Sequence, residues 1–361
     1  MKLSAIINAI EEFAPLPLQE KWDNSGLQIG LPDGNGEVTG VLICLDATVA
    51  IVEEACRRGC NLIVSHHPLI FKGFKHLTGS TPQEETAAAA IRAGIAVYSA
   101  HTSLDSTVGG ISYFMASLLG AVTGGVVEPA GVEYYTVGVT CPRAMSSDVR
   151  LVLLGNTDNC TYSDIEGESA KAGEDFDPVN GIRLIHEPLT CVKIDVDSLR
   201  LGGVLRSLSG MPGYDKMSVE VSALHRRSSD YGLGVYATLP GDGMTGAEFV
   251  EALRRVFGTP CIKASAAYHP DMKIRRIALC GGSAPDFIGK AAAAGVDAYV
   301  TADVRYHDFA DASCLPMAVF DIGHFESEIC AKDIFYHVIT KKIANFAVYK
   351  SEIETNPVKY L

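Results

Sequence analysis

Three short, unbroken apolar runs in the first third of the chain constrain its fold more than any other feature: residues 40–45 (GVLICL), 61–64 and 95–98. A strand that is covered on both faces reads as a continuous apolar run. Helix-forming stretches separate the runs. One extends from about 49 to 58 and stops at Gly59; another passes through the alanines of 87–90 and stops at Gly94. Glycine just past the last helical residue is a common helix stop. The resulting order, β-α-β-α-β, predicts a parallel sheet with helices on both faces.

The pattern resumes near the end, with strands at 277–280, 298–301 and 317–320, a long helix from His324 to about 339, and an edge strand at 347–349. An amphipathic helix over 4–13, with Ser4 as N-cap, opens the chain. The middle differs. From about 131 to 227 it is richer in polar and turn residues and contains the acidic stretch 164–181. Strand-like runs at 135–139, 191–195 and 217–222 and a helix near 198–208 describe a small α+β domain inserted into an α/β domain.

Ligands of open parallel sheets bind beyond the carboxyl ends of the strands. That rule gathers Asp46, His66, His67, His101, Asp105, Asp303, Asp321 and His324, all residue types that bind first-row divalent metals. His66 and His67 are adjacent, so they serve one site only if the strand has already ended. Otherwise they are buried histidines bonded to backbone. Asp105 is either a ligand or a helix N-cap, and His101 shares its loop. His324 and Glu328 are four apart, which puts both on one face of a helix as a half-site for metal or as a simple surface pair. Glu326 falls on another face and is expected in solvent. Three histidines and two carboxylates exceed the three protein ligands of a catalytic zinc. They suit two ions about 3.5–4 Å apart, one edge of one sheet sufficing to gather them.

Other loops carry weaker signals. Gly281-Gly282-Ser283 reads as a tight β–α turn before it reads as an anion site. Trp22-Asp23-Asn24-Ser25-Gly26 is a turn or a pocket wall. Thr301, Asp303, Tyr306 and His307 are pocket-lining or capping residues. Tyr231 to Gly234 holds a lone Gly-x-Gly without the rest of a dinucleotide fingerprint.

The net charge of −13 disfavours nucleic acid as a partner. Ten scattered cysteines without a Cys-x-x-Cys read as reduced thiols. With no secretory leader and no apolar run that spans a bilayer, the expectation is a cytoplasmic protein without membrane partners.

Several segments, in order, carry a resemblance: Trp22 to Leu27, Ser65-His66-His67-Pro68-Leu69, His101-Thr102-Ser103-Leu104-Asp105, Cys280 to Ser283, Tyr299 to Asp303 and on to His307, and Asp321-Ile322-Gly323-His324 through Glu328. Together they resemble the NIF-three family, whose members carry the label GTP cyclohydrolase 1 type 2 homologue. The resemblance implies two similar α/β lobes, 1–128 and 229–361, around a dinuclear metal site, with a PII/CutA-like α+β domain inserted at 129–228. It implies metal ligands at His66, His67, Asp105, His324 and Glu328, with zinc first and iron or manganese as alternatives. It implies a homohexameric ring with the sites facing an inner cavity. The insert's weak signature falls on Gly173 and Phe176-Asp177-Pro178. Met211-Pro212-Gly213-Tyr214-Asp215 and Gly232-Leu233-Gly234-Val235-Tyr236 depart from the family's usual His-Pro-Tyr-Glu and Gly-x-Gly-Arg-Ile-Gly segments. The functional expectation is a metal-dependent hydrolase of a nucleotide or related anionic small molecule, with His101 transferring a proton. For GTP, attack at C8 would open the ring and release formate. The alternative is a non-enzymatic, metal-binding regulatory oligomer that senses a small molecule through the insert.

Overall fold

The computed structural model describes residues 1–155, 160–164, 173–177, 182–186 and 188–361. Its backbone divides into two compact units, Met1–Ala130 with Ser229–Leu361, and Gly131–Ser228.

In the first unit the predicted apolar runs form strands Val41–Cys44, Leu62–Ser65 and Ala96–Ser99, paired in parallel. The helices between them, Val49–Arg58 and Pro82–Ala93, share one design. Thr48 and Thr81 cap their N-termini through the side chain, and Gly59 and Gly94 end them at φ 70 and 67. Only glycine adopts that backbone at little cost. Gly26–Ile29 adds an antiparallel edge next to Ala96–Ser99, and Val348–Lys350 adds a parallel edge next to Val41–Cys44.

The strands of the C-terminal part form a different sheet. Arg276–Ser283, Ala298–Ala302 and Ala318–Asp321 run parallel at its centre. Lys263–Ala264 edges one side; Gly232–Thr238 and Val122–Pro129 extend the other. The expectation of one sheet edge therefore needs correction: two sheets contribute. The later strands pair among themselves, and of the C-terminal strands only Val348–Lys350 joins the first sheet. One apolar cluster joins the sheets, with Val41, Leu62 and Tyr98 from the first and Val235, Leu279 and Val300 from the second, all fully buried.

The second unit has a four-stranded antiparallel sheet in the order Ser218–Arg227, Glu133–Pro142, Leu189–Asp197, Cys160–Asp164. Helices Ser146–Leu154 and Ser198–Ser209 intervene in sequence to give β-α-β-β-α-β, interrupted by the hairpin Gly173–Asp177 with Ile182–His186. Val137, Val139, Val192, Ile194 and Val196 point from alternate positions into one core with Val149, Leu153, Val204 and Leu208. Pro178 and most of the acidic stretch 164–181 lie outside the described residues. Among the described residues, no helix is long and apolar enough to cross a membrane.

Candidate metal centre

The strand Leu62–Ser65 ends one residue before His66, which frees the two histidines from strand alternation. The turn is fixed on both sides. His66 N and His67 N donate to Cys44 O and Leu45 O at 3.3 and 3.0 Å, and Ser65 Oγ donates to His67 O at 2.9 Å. Both imidazoles thus serve one centre, with ring centroids 5.0 Å apart. His101 follows the neighbouring strand and brings its ring within 5.3 Å of His66 and 5.6 Å of His67. Asp105 sits in the short helix Thr102–Ser106, where its side chain is buried.

The second sheet supplies the rest. After Ala318–Asp321, Gly323 turns the chain at φ 91 into the short helix His324–Glu328. Glu328 reaches the middle of the cluster. Its Oε2 lies 2.9 Å from His67 Nε2 and 3.0 Å from His324 Nε2, and its Oε1 lies 3.7 Å from His66 Nε2. Three overlapping groups offer ligand atoms close enough to share a cation: His66, His67 and His101; His67, His324 and Glu328; His66, Asp105 and Glu328. The structure thus brings together His66, His67, Asp105, His324 and Glu328, and adds His101 to them.

Each histidine is aimed from behind. His66 Nδ1 donates to Ala100 O at 3.0 Å. His67 Nδ1 bonds Asp46 at 2.7 Å, His101 Nδ1 bonds Asp23 at 2.9 Å, and His324 Nδ1 bonds Asp303 at 2.7 Å. A partner on Nδ1 leaves Nε2 facing the cluster, the arrangement usual behind a metal-bound imidazole. Asp303 holds its position at φ 55, a strained conformation for a non-glycine residue.

Electrostatics point the same way. His66 Nε2 and Asp105 Oδ1 are buried without hydrogen-bond partners and lie 3.8 Å apart. Such orphans are costly unless a cation joins them. Burial, reinforced by Glu328, pushes the Asp105 carboxyl well above its ordinary range. Burial pulls the His66 imidazole down. Burial opposes charge on His67 and His324 too, yet hydrogen bonds to carboxylates carry them up to about 10 and about 9. Burial also works against the Glu328 carboxylate, but His66, His324 and His67 around it hold it well below the usual range. The donor set of imidazole nitrogens and carboxylates fits divalent first-row metals.

Other sequence-level readings come out differently. Glu326 is not solvated: it is buried and accepts from Asn356 Nδ2 at 3.1 Å, because the C-terminal segment folds back over it. Asp105 caps no helix. Gly281 and Gly282 are neither a simple turn nor an anion site. The strand continues through them to Ser283, and a Cβ on Gly282 would collide with the Glu328 carboxylate. Thr301 bonds Gly282 O and Ala284 N, and Asp321 pairs with Lys263, so both brace the second sheet. Tyr306 is exposed and stacks edge-on with His307 on the helix beyond the site. Asp23, in the loop read as a turn or a pocket wall, supports His101, and Thr355, which no sequence signal marks, supports Asp46. Asp23 lies in the polar loop after the first helix, and Thr355 Oγ1 donates to Asp46 Oδ2 at 3.0 Å from 309 residues away. Only the first had any local signal. A cleft of about 440 Å³ adjoins the centre, lined by Asp46, His67, Lys263, Asp303, His324 and Tyr360.

A family model described as Duf34/NIF3 (NGG1p interacting factor 3) matches residues 1–357. The chain belongs to this family. Relatives from Staphylococcus aureus (strain MW2) and Staphylococcus epidermidis are 30% and 28% identical, with both chains covered in full, and are named GTP cyclohydrolase 1 type 2 homolog. Among solved structures, a Bacillus cereus protein related to NIF3 superposes with a TM-score of 0.86 at 26% identity, over 100% of this chain and 99% of that one. A Staphylococcus aureus protein superposes with a TM-score of 0.74 at 26% identity and the same coverage.

Proposed function

We propose that this NIF3-family chain is a metal-dependent hydrolase of a nucleotide or related anionic small molecule, built on a dinuclear centre. One observation carries the reading: two buried, unpartnered ligand atoms, His66 Nε2 and Asp105 Oδ1, face the shared carboxylate of Glu328. His66, His67, Asp105, His324 and Glu328 would hold the pair, with zinc first and iron or manganese as alternatives. When bound, such ions supply Lewis acidity and a water of lowered pKa.

The chain's own residues do the rest. Asp46 and Asp303 orient His67 and His324, and the adjoining cleft admits a small molecule beside them. His101, held by Asp23 and only partly exposed, is the proton carrier in this reading. The names of the curated relatives favour a C–N bond of a purine such as GTP as the bond cleaved. We also read the protein as a cytoplasmic homohexamer made of two similar lobes, 1–128 and 229–361, with the insert at 129–228 a PII/CutA-like module.

The test is metal analysis of the purified protein, then turnover on GTP, phosphodiesters and cyclic amides, with His324→Ala as control. Metal in the wild type, turnover of at least one substrate and loss of both in the variant are expected. A metal-replete protein that turns over nothing, or a variant matching wild type, sinks the reading. His101→Gln separates two roles: retained metal with lost turnover supports proton transfer, whereas lost metal makes His101 a ligand.

The β-α-β-β-α-β order of the insert favours a second reading, a non-enzymatic oligomer that senses a small molecule there. Fold alone does not decide between them. Ligand binding retained by the metal-free chain would favour sensing.

A further inference from the structure

Beside the metal centre, Trp22 and Phe71 present aromatic rings to solvent, 58% and 42% exposed. Single exposed apolar residues are ordinary. These two are not scattered. Their ring centroids are 6.0 Å apart, and both rings meet His101 edge-on, at 6.0 and 6.3 Å. The backbones that carry them are pinned together: Asn24 Nδ2 donates to Ile70 O at 2.6 Å, and Ile70 N donates to Gln28 Oε1 at 3.2 Å. Phe74 anchors the same loop in the core below, so Phe71 projects from an ordered segment. On the other side Asp23, next to Trp22, accepts from both Thr102 N and Thr102 Oγ1. Two preorganised rings at the rim of a polar site form a stacking surface.

Charge narrows what would occupy it. The chain carries −13 overall, yet residues 55–83 contain no Asp or Glu and include Lys72 and Lys75. Both lysines are exposed on the loop that carries Phe71. The two rings are tilted 57° to each other, so either offers its own exposed face; with lysines on the loop that carries Phe71, this matches a planar heteroaromatic ring joined to an anionic group.

We propose that Trp22 and Phe71 form the platform on which this protein stacks the base of a nucleotide, with Lys72 and Lys75 meeting its phosphates. The platform rests on the hydrolase reading only for its position at the rim of the same centre.

Trp22 is the sole tryptophan, so its fluorescence reports occupancy directly. The protein as purified with metal is titrated with GTP, ATP and inorganic tripolyphosphate. Saturable quenching by both nucleotides is expected, with tripolyphosphate leaving the emission unchanged. Phe71→Ala should weaken nucleotide binding about tenfold, in the range of one lost base–aromatic stack. Trp22→Leu, followed by calorimetry, should do the same while its thermal melt stays that of wild type. The proposal is overturned if tripolyphosphate quenches as well as GTP, if both variants bind within twofold of wild type, or if no nucleotide binds at millimolar concentration. Turnover keeps the two readings apart. Nucleotides that quench Trp22 but are never hydrolysed defeat the hydrolase reading alone. Hydrolysis with unchanged KM in Trp22→Leu defeats the platform alone.

Discussion

At the residue scale, the centre depends on Glu328, whose carboxylate meets His67 from one sheet and His324 from the other. It is buried, so its negative charge is maintained by the imidazoles around it. Space for it comes from Gly282, which sits at φ 64 against the carboxylate. Gly282→Ala adds a Cβ that the site cannot absorb without moving Glu328. We expect the purified variant to lose most of its metal by elemental analysis, and to lose about 1–3 kcal/mol in urea unfolding, the usual cost of overpacking. Asp46→Asn tests support for the proposed ligand His67 from behind. Loss of such a partner costs about 10–100-fold in metal affinity, so competition with a chromogenic chelator should show weakened binding without loss of fold. An unchanged affinity would mean that Asp46 does not orient His67. The spacing of His324 and Glu328 was legible at this scale because a helix brings i and i+4 together whatever surrounds it. The burial of Glu326 was not legible, since it depends on Asn356 arriving from the C-terminal segment.

At the element scale, the predicted long helix from His324 is two helices, His324–Glu328 and Ala331–Lys342. The break at Ile329–Cys330 separates the piece that carries His324 and Glu328 from the piece that packs on the core. The last strand, Val348–Lys350, is followed by a segment tied back to the helix Val49–Arg58. Ser351 Oγ and Glu352 N both donate to Glu54, which also pairs with Arg58. Burial opposes the Glu54 charge, but these bonds hold its carboxyl below the ordinary value. A carboxyl lowered on folding stabilises above its unfolded pKa of about 4.3, and that stability is lost as pH falls through the folded value. Glu54→Gln should therefore lose about 1–3 kcal/mol near neutrality, the scale for a hydrogen bond to a buried charge. The gap to wild type should close as pH drops below about 4, as urea midpoints across a pH series would show. A gap that stays constant would remove the charge from the account.

At the scale of the whole molecule, the proposed ligands divide between two sheets: His66, His67 and Asp105 beside one, His324 and Glu328 beside the other. A cation held by these residues would tie the sheets together, and its binding would add to folding stability. Chelation should lower the melting temperature. At a free metal concentration about 1,000 times the dissociation constant, one bound ion would contribute about 4 kcal/mol. Restoring metal should recover the melt, and His324→Ala should melt like the chelated wild type with or without added metal. A melt indifferent to chelation would argue against a cation that spans the two sheets.

The sequence by itself determined what local physics controls. Unbroken apolar runs with glycine-stopped helices between them specify parallel strands, and the strand-end rule picks out the residues that follow them. The i, i+4 spacing pairs His324 with Glu328. The tertiary structure alone decided that these strands form two sheets, because strand pairing is a contest between distant edges that periodicity does not encode. It also decided that Glu328 bridges both histidine sets, that Gly282 makes room for it, and that Asp23, Asp303 and Thr355 stand behind the ligands or their supports. Each of those contacts joins residues remote in sequence. Their geometry exists only once the core has set the two sheets against each other.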